Sequence, residues 1–167
     1  MRTDPADTPM TDPLAYFLTW TTYGTWLPGD ERGWVQKPGR FQPPNPRLKA
    51  AARSLLTEEA CMLNPEQRSL VEATIARHCA LRGWQLHAVS CRTNHVHVVV
   101  TAKVHPKIIR DQLKAWCTRR LKERQQADNA DPSQTIRVNW WTERGSTRWL
   151  NDEQSLIEAI QYVRDYQ

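Results

Sequence analysis

The sequence predicts an α+β fold: an antiparallel sheet with two helices on one face and an extra helix at the C-terminal end. Three observations predict it. The run His95-Val96-His97-Val98-Val99-Val100 places valines at alternate positions, the composition of a β-strand. Two stretches, 64–81 and 106–125, carry apolar residues at helical spacing and are separated by strand-like sequence. A third helical stretch follows a short strand candidate and closes the chain.

The chain has 167 residues, a single-domain length that can bury a real core. Residues 1–13 are polar and proline-spaced, a flexible lead-in, and residues 14–167 form the domain. Tyr16 to Thr22 is aromatic and β-branched and makes the first strand. Residues 23–50 are rich in Gly, Pro and Trp. Glycines and prolines forbid a regular element over 23–34, yet that segment carries Trp26 and Trp34, so it reads as an ordered loop, and 36–50 reads as an extended excursion. A short helix is expected within 47–60. Asn64, Pro65 and Gln67 are an N-cap, a first-turn proline and the third-position partner of a capping box. Val71, Thr74, Ile75, His78 and Cys79 form the buried stripe of that helix, and Gly83 ends it. His78 is therefore a packed helix histidine.

Trp84 to Cys91 is the second strand, folded back onto the histidine strand through Arg92-Thr93-Asn94. Pro106 opens the next helix, with Ile109, Leu113, Trp116, Cys117 and Leu121 as its stripe. Thr135 to Trp141 and Thr147 to Leu150 are strand material around the turn Glu143-Arg144-Gly145-Ser146. Asn151 caps the last helix, whose stripe is Leu156, Ile157, Ile160 and Val163. Strand, helix, strand, strand, helix, strand and extra helix is a ferredoxin-like split βαβ order.

In a strand, residues two apart share a face, so His95, His97 and Val99 oppose Val96, Val98 and Val100. The valine side belongs under the helices. The other side presents two imidazoles about 7 Å apart at Cα, a spacing that can hold one face of a divalent metal ion. On the last helix, at about 100° per residue, Tyr162 falls about 160° from Ile160 and so points away from that helix's core, as a nucleophilic hydroxyl must.

The net charge is +5, which suits an anionic partner. Between Lys103 and Arg124 eight basic residues face two acids. That bias points to phosphate contact by Lys107, Arg110, Lys114, Arg119 and Arg120. Eight tryptophans are many for this length, and Trp26 and Trp34 are candidate platforms for unstacked bases. The four cysteines are widely spaced with no CxxC pair, which reads as free thiols. No apolar run is long enough for a membrane span and the N-terminus is not a signal peptide, so the expected location is the cytoplasm, with no membrane partner.

Asn94-His95-Val96-His97 together with Gln161-Tyr162-Val163 resembles the motifs of the REP-associated tyrosine transposases and their insertion-sequence relatives, the single-tyrosine HUH transposases. Phe17 to Leu27 and Trp141 to Ser146 resemble one branch of that group, and the likeness spans about residues 14–167. The resemblance implies a Mg or Mn cofactor on His95 and His97. It also implies cleavage and joining of single-stranded or hairpin DNA (REP-like elements) through a 5′-phosphotyrosine on Tyr162. A nucleoid-associated protein, monomer or homodimer, is the corresponding expectation. The family's third ligand, Gln or Asn, lies one helical turn after the tyrosine. Tyr166 occupies that position here, and Asp165, then Gln167, are the substitutes. A domesticated hairpin-binding protein that no longer cuts is the alternative.

Overall fold

The computed structural model describes residues 13–36 and 39–165. In chain order the elements are β1 (Ala15–Thr21), β2 (Trp34–Gln36), β3 (Arg40–Gln42), α1 (Pro46–Ser54), α2 (Pro65–Arg82), β4 (Gln85–Cys91), β5 (His95–Thr101), α3 (Pro106–Asp128), β6 (Ser146–Leu150) and α4 (Glu153–Asp165). Four strands form one antiparallel sheet in the order β4-β5-β1-β6. With α2 after β1 and α3 after β5, this is the expected ferredoxin-like arrangement. The strands β2 and β3 pair separately within the Trp- and Pro-rich excursion. The lead-in before residue 13, and Tyr166 and Gln167, lie outside the described residues.

The alternation read along β5 decides the two faces. Val96, Val98 and Val100 are fully buried and pack with Leu18 and Trp20 of β1 and with Val71, Ile75, Ile109, Leu113, Cys117 and Leu121 of α2 and α3. On the opposite face Val99 packs with Ala15, Ala88 and Leu150 against Ala159 and Val163 of α4. The capping box at Asn64 and Gln67 forms, and Gly83 ends α2 at φ 69°, where a side chain would be strained. Strand β4 shifts register between Leu86 and Ala88. The irregularity turns Leu86 and Val89 to the same core while Ala88 faces α4.

Several expectations need correction. The stretch 135–141 forms no strand; only an isolated bridge joins Trp141 to Thr22. Its backbone is held instead by side chains, with Glu58 accepting from the amides of Val138 and Asn139. Trp116 is half-exposed rather than buried, and Arg110 takes a buried place on α3. Asp152, not Asn151, caps α4, its Oδ1 accepting from the Ser155 amide at 2.8 Å. Ile157 is exposed, and the packed face of α4 centres on Ala159 and Val163. Ala159 is part of that face, which a stripe drawn through the large apolar residues leaves out. All four cysteines are buried free thiols. Among the described residues no helix is long and apolar enough to cross a membrane.

Candidate active site on the histidine face of the sheet

The site is built on the α4 side of β1 and β5. Register pairing sets Phe17 opposite Val99, Thr19 opposite His97 and Thr21 opposite His95. These three β1 residues lie two apart and share the histidine face.

His95 and His97 stand side by side, ring centroids 4.8 Å apart. The Nδ1 of His95 lies 2.8 Å from the Asn94 side-chain oxygen, which only accepts, so Nδ1 carries the proton and donates. The Nδ1 of His97 lies 2.7 Å from the Thr19 hydroxyl. His97 is buried, and burial, reinforced by the neighbouring His95 and Arg92, lowers its pKa to about 4. It is therefore a neutral imidazole at pH 7, the form that ligates a metal.

Tyr162 reaches this pair from α4. Its ring meets His97 edge to face at 5.7 Å and Phe17 at 6.1 Å, while Phe17 stacks on His97 at 5.3 Å. Tyr162 is nevertheless 46% exposed. It does not point opposite the packed face of its helix, as the expected stripe implied. It flanks that face, because the face is centred on Ala159 and Val163. The helix end is tied down through Arg164, which donates to the His87 carbonyl at the β4 irregularity.

The donor chemistry of the pair fits a divalent metal in part. Two imidazoles suit Mn and other first-row ions better than Mg, which prefers oxygen ligands. Among the described residues no group of three His, Cys, Asp or Glu side chains is placed to hold an ion. Asp165 is exposed at the end of α4 and is not gathered with the histidines, and Gln167 lies outside the described residues.

The loop at the entry to β6 closes one end of the site. Thr142 pairs its hydroxyl with that of Thr21 at 2.8 Å. Two cations of α3 hold this loop by its backbone. Arg110 donates to the Gly145 carbonyl at 3.0 Å, and Lys114 donates to the carbonyls of Thr142 and Arg144, both at 2.7 Å. Burial, with Arg110 nearby, lowers Lys114 to a pKa of about 8. Arg110 also pairs with the Asp111 carboxylate at 3.0 Å, so both cations expected as phosphate contacts have partners within the protein. Gly145, at φ 147°, lies so close to β1 that an added Cβ would stand 2.5 Å from the Thr19 carbonyl oxygen.

The other expected DNA contacts lie elsewhere. Lys107, Arg119 and Arg120 are exposed on α3, which covers the sheet face opposite the histidines. Arg119 and Arg120 both pair with Glu123, and Arg119 lies over the Trp116 ring. Trp26 donates to the Gly33 carbonyl beneath the Arg32 guanidinium, and Trp34 donates to the Pro43 carbonyl, so both brace the excursion. The reading along single elements missed Phe17 and Thr19. The signal was the period of β1, which sets both beside the histidines once β1 and β5 pair.

No family model matches the chain, and no curated protein matches it. Among solved structures the chain is similar to a "putative transposase" from Deinococcus radiodurans R1, at 15% identity and a TM-score of 0.46, over 99% of this chain and 97% of that one.

Proposed function

We propose that this protein is a transposase-like enzyme that cleaves and rejoins single-stranded or hairpin DNA, with Tyr162 as the nucleophile. The observation that carries the reading is the contact of a half-exposed Tyr162 ring with a buried, neutral His97. The resemblance of Asn94–His97 and Gln161–Val163 to the REP-associated tyrosine transposases supports the same reading, as does the basic balance of the chain.

His95 and His97 would hold the metal, Mn or Mg. Bound there, it would supply positive charge that neutralises the oxygens of the scissile phosphate. The protein's own groups do the rest. Tyr162 Oη attacks the phosphorus, the Oη–P bond forms, and the bond from phosphorus to the 3′-oxygen breaks. The phenol loses its proton and the leaving 3′-oxygen gains one, so the step is balanced and reversible. The strand stays on the protein through its 5′-phosphate, and return of a 3′-hydroxyl rejoins it. Packing against Phe17 and His97 fixes the tyrosine ring, which limits the orientational freedom that in-line attack must overcome.

The test is incubation with labelled hairpin DNA and Mn, reading a covalent protein–DNA adduct that Tyr162→Phe loses. Tyr166, standing where the resembling family keeps its Gln or Asn ligand, favours a second reading, a hairpin binder that no longer cuts. Tight hairpin binding by the wild type without an adduct in any divalent metal would establish that reading instead.

A further inference from the structure

The two histidines differ in how their protons are fixed. The Asn94 side-chain oxygen has no hydrogen to give, so His95 is locked with its proton on Nδ1. Such a ring offers its Nε2 lone pair to a ligand. The partner of His97 is a hydroxyl, which can donate or accept. If Thr19 donated, the proton of His97 would sit on Nε2, and that nitrogen could not ligate. If Thr19 accepts, Nε2 carries the lone pair and the two rings match.

We infer that Thr19 is a positioning residue: its hydroxyl accepts from Nδ1–H of His97 and holds the ring in the tautomer that presents Nε2 as a metal ligand. Three observations show that the Thr19–His97 bond is firmly held, and the match to the His95 tautomer selects its direction. The Oγ1–Nδ1 distance of 2.7 Å is that of a strong hydrogen bond. Thr19 is the direct cross-strand partner of His97, so the β-ladder brings the two side chains together. The stack of Phe17 on His97 and the edge contact from Tyr162 block rotation of the ring out of that bond. Thr19 is only partly buried, which leaves its own hydrogen a route to water while its oxygen accepts.

The inference rests on the metal-assisted reading above, yet its first test needs no metal. Long-range ¹H–¹⁵N spectra of the metal-free protein at pH 7 should show His97 with a protonated Nδ1 and an unprotonated Nε2. Thr19→Val keeps the shape of the residue and removes the hydroxyl, and should shift His97 toward a mixture of tautomers. Thr19→Ser should restore the wild-type pattern. A wild-type spectrum with the proton on Nε2 overturns the inference, and so does a Thr19→Val spectrum identical to wild type.

The second test is Mn²⁺ affinity, read by electron paramagnetic resonance of the free ion. Loss of the hydroxyl should weaken binding by about 10–100-fold, the usual effect of removing a partner that orients a histidine ligand. Thr19→Ser should bind as wild type does. Equal affinity in Thr19→Val and wild type overturns the inference. No Mn²⁺ binding by the wild type overturns the metal reading itself, and the tautomer spectra then still decide what Thr19 does.

Discussion

The Tyr162 ring lies edge to face against His97, centroids 5.7 Å apart at an interplanar angle of 73°. One residue comes from the last helix and the other from a central strand, so the contact exists only in the folded chain. It joins the proposed nucleophile to the proposed metal ligand. Tyr162→Phe keeps the ring and its contacts while removing the hydroxyl. The fold should survive, with stability within about 0.5 kcal/mol of wild type, and hairpin affinity should be unchanged while the covalent adduct disappears. A persisting adduct, mapped by mass spectrometry to another residue, would displace Tyr162 from the role.

The two histidines should separate when replaced singly. His97 is buried and His95 only partly so. His97→Ala opens a cavity beneath Phe17 and Tyr162 and should cost about 1–3 kcal/mol by urea denaturation. His95→Ala should cost less. Either change should reduce Mn²⁺ binding and cleavage together while hairpin binding persists. Undiminished cleavage in the double variant would remove the metal from the mechanism.

The pH response of His97 follows from its burial. Its folded pKa, about 4, lies below the ordinary value of 6.5. The unfolded chain therefore binds the proton more readily, and stability falls as pH drops. The contribution of His97 is complete above about 6.5 and is lost as pH falls from there through about 4. An NMR titration should show the His97 ring protons moving with a midpoint near 4. A midpoint near 6.5 would mean that the imidazole is solvated and not held as described.

Gly145 and Arg110 should behave as structural supports of the site. Gly145→Ala places a Cβ within 2.5 Å of the Thr19 carbonyl at a φ of 147°. It should destabilise by about 1–3 kcal/mol and disturb the His97 resonances through Thr19. Arg110→Met deprives the Gly145 carbonyl of its donor and should cost about 1–3 kcal/mol. The paired, exposed Arg119 and Arg120 should change stability little when replaced by alanine. Thermal melts of the four variants check the order.

Binding to single-stranded DNA should weaken with salt, each neutralised phosphate adding about 0.7 to the slope of log K against log salt. Replacing Lys107 with Ala should lower that slope if the exposed face of α3 touches phosphate. An unchanged slope would move the DNA path to the histidine face alone. A wild-type affinity flat in salt would remove nucleic acid as the partner.

The sequence by itself determined the elements that depend on local chemistry. The capping box at Asn64 and Gln67, the end of α2 at Gly83 and the two-faced valine strand follow from hydrogen bonding and a period of two. Strand order follows from the alternation of elements, and the pairing of His95 with His97 on one face needs no tertiary information. Tertiary structure alone decided the rest. A basic residue bonds whatever acceptors lie within reach, and only packing put Arg110 and Lys114 beside the carbonyls of 142–145. The face of α4 is the one that packs Ala159 and Val163 against Ala88, Val99 and Leu150, a packing choice invisible in a count of apolar residues. Thr19 and Phe17 became part of the site because β1 pairs with β5 in one register, and that register arises from burying both strands' apolar faces together.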